Sequence, residues 1–198
     1  MNIIIAGCGK VGRALAEQLS KEKHDITVID LKPESIQLVT NAADVRGVVG
    51  NGASYDIQMD AGVDKADLMI AVTNADEVNL LCCLIAKKAG GCQTIARVRN
   101  PVYHHEIHHI KDELGLSMVI NPEWAAAMEM ARLLRFPSAI DIDTFANGRI
   151  ELLRFQLDDK NPLCGHKIRD LDTLSKCEVL VCIVERGNEV RIPGGEFV

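Results

Sequence analysis

Aromatic residues are scarce, with one Trp, two Tyr and four Phe in 198 residues. The core must then rest on Ile, Val, Leu and Ala, as in a parallel sheet covered by helices. There is no basic run and no interleaving of basic with aromatic residues, and the net charge is −6. That combination argues against a nucleic-acid partner. No apolar stretch approaches the length of a membrane span. No signal peptide is evident, because Met1-Asn2 leads straight into an apolar run. The seven cysteines (Cys8, Cys82, Cys83, Cys92, Cys164, Cys177, Cys182) are odd in number and lack CxxC spacing. They read as reduced thiols used mostly as small core residues. These absences predict a soluble, cytoplasmic α/β protein with one good core and a small addition.

Strand and helix patterns alternate six times. Strands are predicted at 2–6, 26–30, 45–49, 67–72, 93–98 and 117–120, with helices at 10–22, 33–42, 54–60, 76–89, 102–114 and 122–135. Such alternation predicts a doubly wound parallel sheet with helices on both faces. Two helices carry more than one apolar stripe: Val78 to Ala86 and Trp124 to Leu134. A helix apolar on several faces needs more than one partner, so both are expected to pack against a second subunit, the alternative being deep cover within one chain. The texture changes near residue 138. Ile140 to Leu157 reads as strand with a turn at Asn147-Gly148, and a polar segment with Pro162 and Gly165 follows. Glu178 to Glu185 and Glu189 to Ile192 then read as a hairpin turning at Gly187-Asn188. The last residues, Gly194 to Val198, look like mid-motif, so this second, β-rich module is expected to continue. About sixty residues form little core alone.

The run Ile3-Ile4-Ile5-Ala6-Gly7-Cys8-Gly9-Lys10-Val11-Gly12 reads as a buried strand, a tight turn and a helix start. Gly7 allows the sharp exit, Gly9 leaves room for a pyrophosphate, and Gly12 lets the helix approach the sheet. The N-terminus of that helix would face the phosphates. Asp30, eighteen residues beyond Gly12, ends the second strand where it can accept hydrogen bonds from ribose hydroxyls. Its charge favours NAD(H) over a 2′-phosphorylated dinucleotide.

Other strand ends are less specific. Gly50-Asn51-Gly52-Ala53 can border an adenine or be an ordinary turn. Thr73-Asn74-Ala75-Asp76 can meet the far half of a dinucleotide, or cap a helix through Asn74 or Asp76. Arg97 and Arg99 can bind phosphate, meet a neighbour's carboxylate or lie on the surface. His104, His105, His108 and His109 form two i,i+4 pairs, a spacing that can hold a metal, but no acidic framework accompanies them. No nucleophilic triad or acid–base pair stands out, so chemistry has no evident home.

Together the motifs Gly7–Gly12, Val28-Ile29-Asp30, Gly50–Ala53, Ala71-Val72-Thr73-Asn74, Arg97-Val98-Arg99-Asn100-Pro101 and Val119-Ile120-Asn121-Pro122-Glu123 resemble the TrkA or RCK family. Its members are regulatory subunits of Trk- and Ktr-type potassium uptake systems. The resemblance implies a Rossmann-like nucleotide-binding domain over 1–135 and the start of a small α+β RCK C-terminal subdomain over 136–198. It implies a cofactor site of Gly7, Cys8, Gly9, Lys10, Val11, Gly12, Asp30, Leu31, Asn51, Gly52, Ala53, Thr73, Asn74, Ala75, Arg97 and Glu123. Glu123 matches a glutamate that in some members helps hold a cation beside a neighbouring subunit's nucleotide. Some nucleotide-triphosphate-binding relatives carry arginine where this chain has Lys10, leaving NAD(H) and ATP or ADP both open as ligands. The implied protein is a non-enzymatic, cytoplasmic switch, peripheral on the inner membrane face. Its implied partners are a potassium transporter subunit of TrkH or KtrB type and copies of itself, as a homodimer within a larger ring. The alternative is a small NAD-dependent oxidoreductase.

Overall fold

The computed structural model describes every residue except 147–148, 159 and 176–178, and every side chain of those except His104, His105, His108 and Ser175. The chain forms two compact units, Met1–Glu129 and Met130–Val198.

The first unit is a six-stranded parallel sheet in the order β3-β2-β1-β4-β5-β6. The strands are β1 (Asn2–Ala6), β2 (Asp25–Asp30), β3 (Arg46–Val49), β4 (Leu68–Ala71), β5 (Gln93–Arg97) and β6 (Met118–Ile120). The helices α1 (Lys10–Lys21), α2 (Pro33–Ala42), α3 (Tyr55–Asp60), α4 (Asp76–Gly90), α5 (Pro101–Ile110) and α6 (Pro122–Arg135) follow them in turn. The Rossmann-like reading is correct in element order and sheet direction.

The twofold period of β1 divides the core. Ile3 and Ile5 pack with Ala16 of α1 and Ile36 and Val39 of α2 on one face. Ile4 and Ala6 pack with Ile57 of α3, Cys82, Cys83 and Ala86 of α4, and Ile107 of α5 on the other. Each of the three isoleucines is almost wholly buried, and such a side chain contributes about 2 kcal/mol. Pro33 occupies the first turn of α2, where its missing N–H has no helical acceptor anyway.

Several expectations are corrected. Much of the apolar surface of α4 is covered within this unit, where Asn79, Cys82, Cys83 and Ala86 are buried, while Leu81 stays exposed. The helix is covered by the sheet on one side and by α3 with a 3-10 turn at Val63–Lys65 on the other. α5 ends at Ile110 rather than 114, and the chain then turns to Gly115 in the left-handed region. By contrast α6, which crosses the boundary between the units, buries no residue. Trp124, Met128, Met130, Leu133 and Leu134 are all exposed.

In the second unit β7 (Ala139–Phe145) pairs antiparallel with β8 (Ile150–Phe155). The turn expected at Asn147-Gly148 falls outside the described residues. A 3-10 turn at Ile168–Asp170 and α7 (Leu171–Ser175) follow, both within a stretch that reads as merely polar. The last hairpin is shorter than expected. β9 (Val184–Arg186) and β10 (Glu189–Arg191) pair, while residues 179–183 are not strand and Glu178 lies outside the described residues. Among the described residues, Ile142 is the one buried apolar side chain of this unit.

The thiols split. Cys8, Cys82, Cys83 and Cys92 are buried, Cys164 and Cys182 are exposed, and Cys177 lies outside the described residues. Burial pushes Cys82 up to about 12 and raises Cys83 and Cys92 as well. Iodoacetamide at pH 8 is therefore expected to label Cys164 and Cys182 in the folded protein. The four buried thiols should react only in denaturant, as read by peptide mass spectrometry.

Candidate functional site

The sheet order reverses between β1 and β4, so their C-terminal ends bound the crevice where ligands of this fold lie. The loops that follow them meet there. Gly7 has φ +102°, a conformation that glycine adopts freely, and a side chain on it would lie 2.9 Å from the Thr73 backbone nitrogen. Its own N–H donates to Ile29 O at 2.8 Å, which ties the turn to β2. Gly12 approaches so closely that a methyl there would fall on the Gly7 carbonyl oxygen. Gly9 differs: a methyl there meets nothing within 4 Å. That open space beside the α1 N-terminus suits a pyrophosphate.

Asp30 organises this turn. Its Oδ2 accepts the Cys8 N–H at 2.7 Å and its Oδ1 the Lys32 N–H at 2.9 Å. Each oxygen keeps a lone pair, so the carboxylate can still accept a pair of ribose hydroxyls. The Cys8 thiol is pushed up to about 12 by burial, with the Asp30 charge adding to it. It stays neutral and places no anion against a phosphate. Lys10 and Leu31 are exposed at the rim, and Val11 is half-buried.

After β3, the Asn51 Oδ1 accepts the Ala53 N–H at 3.0 Å and closes a tight turn. After β4, Asn79 holds the chain. Its Oδ1 accepts both the N–H and the hydroxyl of Thr73 at 2.7 Å, and its Nδ2 donates to Arg97 O at 2.9 Å. The caps expected from Asn74 or Asp76 are absent, since α4 has no side-chain cap. Buried Asp76 instead accepts the N–H groups of Arg99 and Asn100, at 2.9 and 2.8 Å. Arg99 also donates to Asn74 O. Arg97 pairs with Glu123 of the same chain, so neither arginine lacks an internal partner.

All sixteen cofactor residues expected from the resemblance thus lie in or beside the segments that leave β1 to β6 at one sheet edge. The sequence reading overlooked Gln58, Asn79 and Arg13. Arg13, in the first turn of α1, has a buried Nε without a partner among the described residues, and its charge acts on Cys8. Three of the four histidines of the metal reading have side chains outside those described. Among the described residues no group of three or more His, Cys, Asp or Glu side chains could hold a metal. Among them, too, no helix is long and apolar enough to cross a membrane.

Residues 3–122 match the TrkA-N domain family. A protein of Archaeoglobus fulgidus named Trk system potassium uptake protein TrkA homolog is 37% identical over 198 residues. The match covers the whole of this chain but 44% of that relative, so the chain spans less than half its length. Three solved structures of the GsuK channel share the fold. Its RCK domain has a TM-score of 0.60 at 21% identity, covering 98% of this chain and 40% of that one. The channel bound to NAD gives 0.57 at 19%, covering 100% and 35%. The channel bound to ADP gives 0.52 at 20%, covering 61% and 31%. At these identities the likeness is one of fold.

Proposed function

Because this chain belongs to the TrkA-N family, we propose that it is a non-enzymatic, ligand-gated regulatory unit of a potassium uptake system. Its ligand is an adenine nucleotide, NAD(H) before ATP or ADP, bound across the crevice at the ends of β1 and β4. Gly7, Cys8, Gly9, Lys10, Val11 and Gly12 cradle the phosphates, and Asp30, with Leu31 beside it, takes the adenosine ribose. Asn51, Gly52 and Ala53 border the adenine. Thr73, Asn74 and Ala75 meet the other half, with Arg97 and Glu123 at the mouth. The observation that carries this reading is the Asp30 carboxylate, which braces the glycine turn through the Cys8 N–H while keeping acceptor capacity, beside a turn that leaves open space at Gly9.

Regulation follows from unequal ligand affinity for two arrangements of the assembly. Copies of this chain pair through the exposed apolar surface of α6 and build a ring on the cytoplasmic face of a membrane potassium transporter subunit. Residues 1–135 supply the nucleotide domain, and 136–198 begin the C-terminal subdomain.

The test is calorimetric titration with NADH, NAD, ATP and ADP, with and without magnesium, while light scattering follows the oligomer mass. Binding without turnover by an oligomer is expected. Asp30→Ala should weaken NADH at least about tenfold, the equivalent of about 1.4 kcal/mol. Unchanged NADH affinity would remove Asp30 from the ribose. Nicotinamide turnover with any substrate would turn the assignment toward an oxidoreductase.

A further inference from the structure

We infer that Gln58 is a positioning residue for the adenine side of this crevice, holding the Gly50–Ala53 turn to α4. The inference rests on the nucleotide site proposed above and concerns a residue that contacts no ligand in that proposal.

Gln58 lies in α3 and is 0% exposed, which is unusual for a glutamine. Its Nε2 donates to Gly52 O at 2.7 Å and to Cys82 O at 2.9 Å. Two carbonyl acceptors fix the amide's orientation, because the flipped form would set Oε1 against both oxygens. Oε1 itself is buried without a partner among the described residues. An apolar side chain of the same volume would remove that orphan but leave the Gly52 carbonyl without its donor. What the amide adds is therefore its two bonds, not the filling of space.

Those bonds join the turn after β3 to the second turn of α4. Gly52 has no room to move inward, since a methyl on it would lie 3.0 Å from Ala6 Cβ and 3.2 Å from Cys82 Sγ. Gln58 keeps it from moving outward. Within the turn, the Ala53 and Ser54 N–H groups are spent on Asn51. Asn51 is exposed and its N–H has no acceptor among the described residues, so it remains for the edge of a base. Three residues earlier on α4, Asn79 grips the Thr73 and Arg97 backbones. One helix thus sets the spacing between the adenine turn and the opposite side of the crevice.

Gln58→Leu in the full chain is the test, with AMP and inorganic pyrophosphate as calorimetric probes. The expected result is an AMP affinity about tenfold weaker, pyrophosphate affinity unchanged, and a thermal midpoint modestly below wild type, because the Gly52 carbonyl loses its donor. Amide exchange at Ala53 and Ser54 should quicken while that of β1 and β4 does not. Gln58→Met, unbranched and of similar length, carries the same test should the leucine variant misfold. AMP binding equal to that of a wild type that binds AMP would overturn this inference alone. So would an equal loss for AMP and pyrophosphate, which is the mark of a general structural role. A wild type that binds no adenine nucleotide overturns the site reading and this inference with it.

Discussion

Gly12→Ala is expected to cost about 3 kcal/mol of stability and to abolish nucleotide binding, whereas Gly9→Ala should cost less than about 1 kcal/mol and remove binding alone. The two glycines sit three residues apart and face opposite situations. A methyl at Gly12 falls on the Gly7 carbonyl oxygen. That carbonyl has nowhere to go, because Gly7 is bonded to Ile29 O on one side and packed on Thr73 on the other. The clash can be relieved only by moving the start of α1 off the sheet, which opens the packing around Ala16 and displaces the helix N-terminus from the phosphate position. At Gly9 a methyl meets no protein atom, and the backbone there (φ −68°, ψ −167°) suits alanine. It would occupy only the space left for a pyrophosphate. Urea denaturation and NADH fluorescence titration of both variants separate the effects. Normal NADH binding by Gly9→Ala would remove the phosphates from this turn.

The parts of this fold that read clearly from the sequence are those whose signal is local. Ile3-Ile4-Ile5-Ala6 and Ile26 to Asp30 are apolar runs bounded by turns, and β1 and β2 follow them almost to the residue. The fingerprint around Gly7 depends on close approach to its own helix, which the spacing of three glycines already encodes. What the sequence hides is set by distant partners. Val78 to Ala86 reads as apolar nearly all round, and periodicity cannot show that α3 and the Val63–Lys65 turn cover part of it. Residues 179–183 are an apolar run that reads as strand but pair with no strand among the described residues. Asp76 reads as a helix cap, yet its acceptors serve a loop more than twenty residues away. Gln58 and Asn79 carry no motif at all. Apart from the Thr73 hydroxyl, their partners are backbone carbonyls and an amide, which every residue offers, so little in the side-chain pattern marks them.

Asn79 is where that hidden layer should have its largest effect. The side chain is wholly buried and uses both ends of its amide. It accepts from the Thr73 N–H and hydroxyl and donates to Thr73 O and Arg97 O, at 3.3 and 2.9 Å. Asn79→Ala leaves the Thr73 N–H and the Arg97 carbonyl without this partner, each at a cost of about 1–3 kcal/mol. A total loss near 3 kcal/mol is expected, with faster amide exchange through residues 73–75 and weaker nucleotide binding on that side. Asn79→Asp gives the sharper test, because it keeps the acceptor and makes the donor depend on a proton. Only the neutral acid can donate to Arg97 O, and burial favours that neutral form, so the folded-state pKa lies above the ordinary value of about 3.9. The variant's stability is then fully present below about pH 4 and is lost as pH rises through the folded-state pKa, a slope that wild type does not share. Denaturant midpoints measured from pH 4 to 8 read it directly. A variant with the wild-type pH profile would mean that the Arg97 carbonyl finds another donor, and that Asn79 does not tie β4 to β5 at the mouth of the crevice.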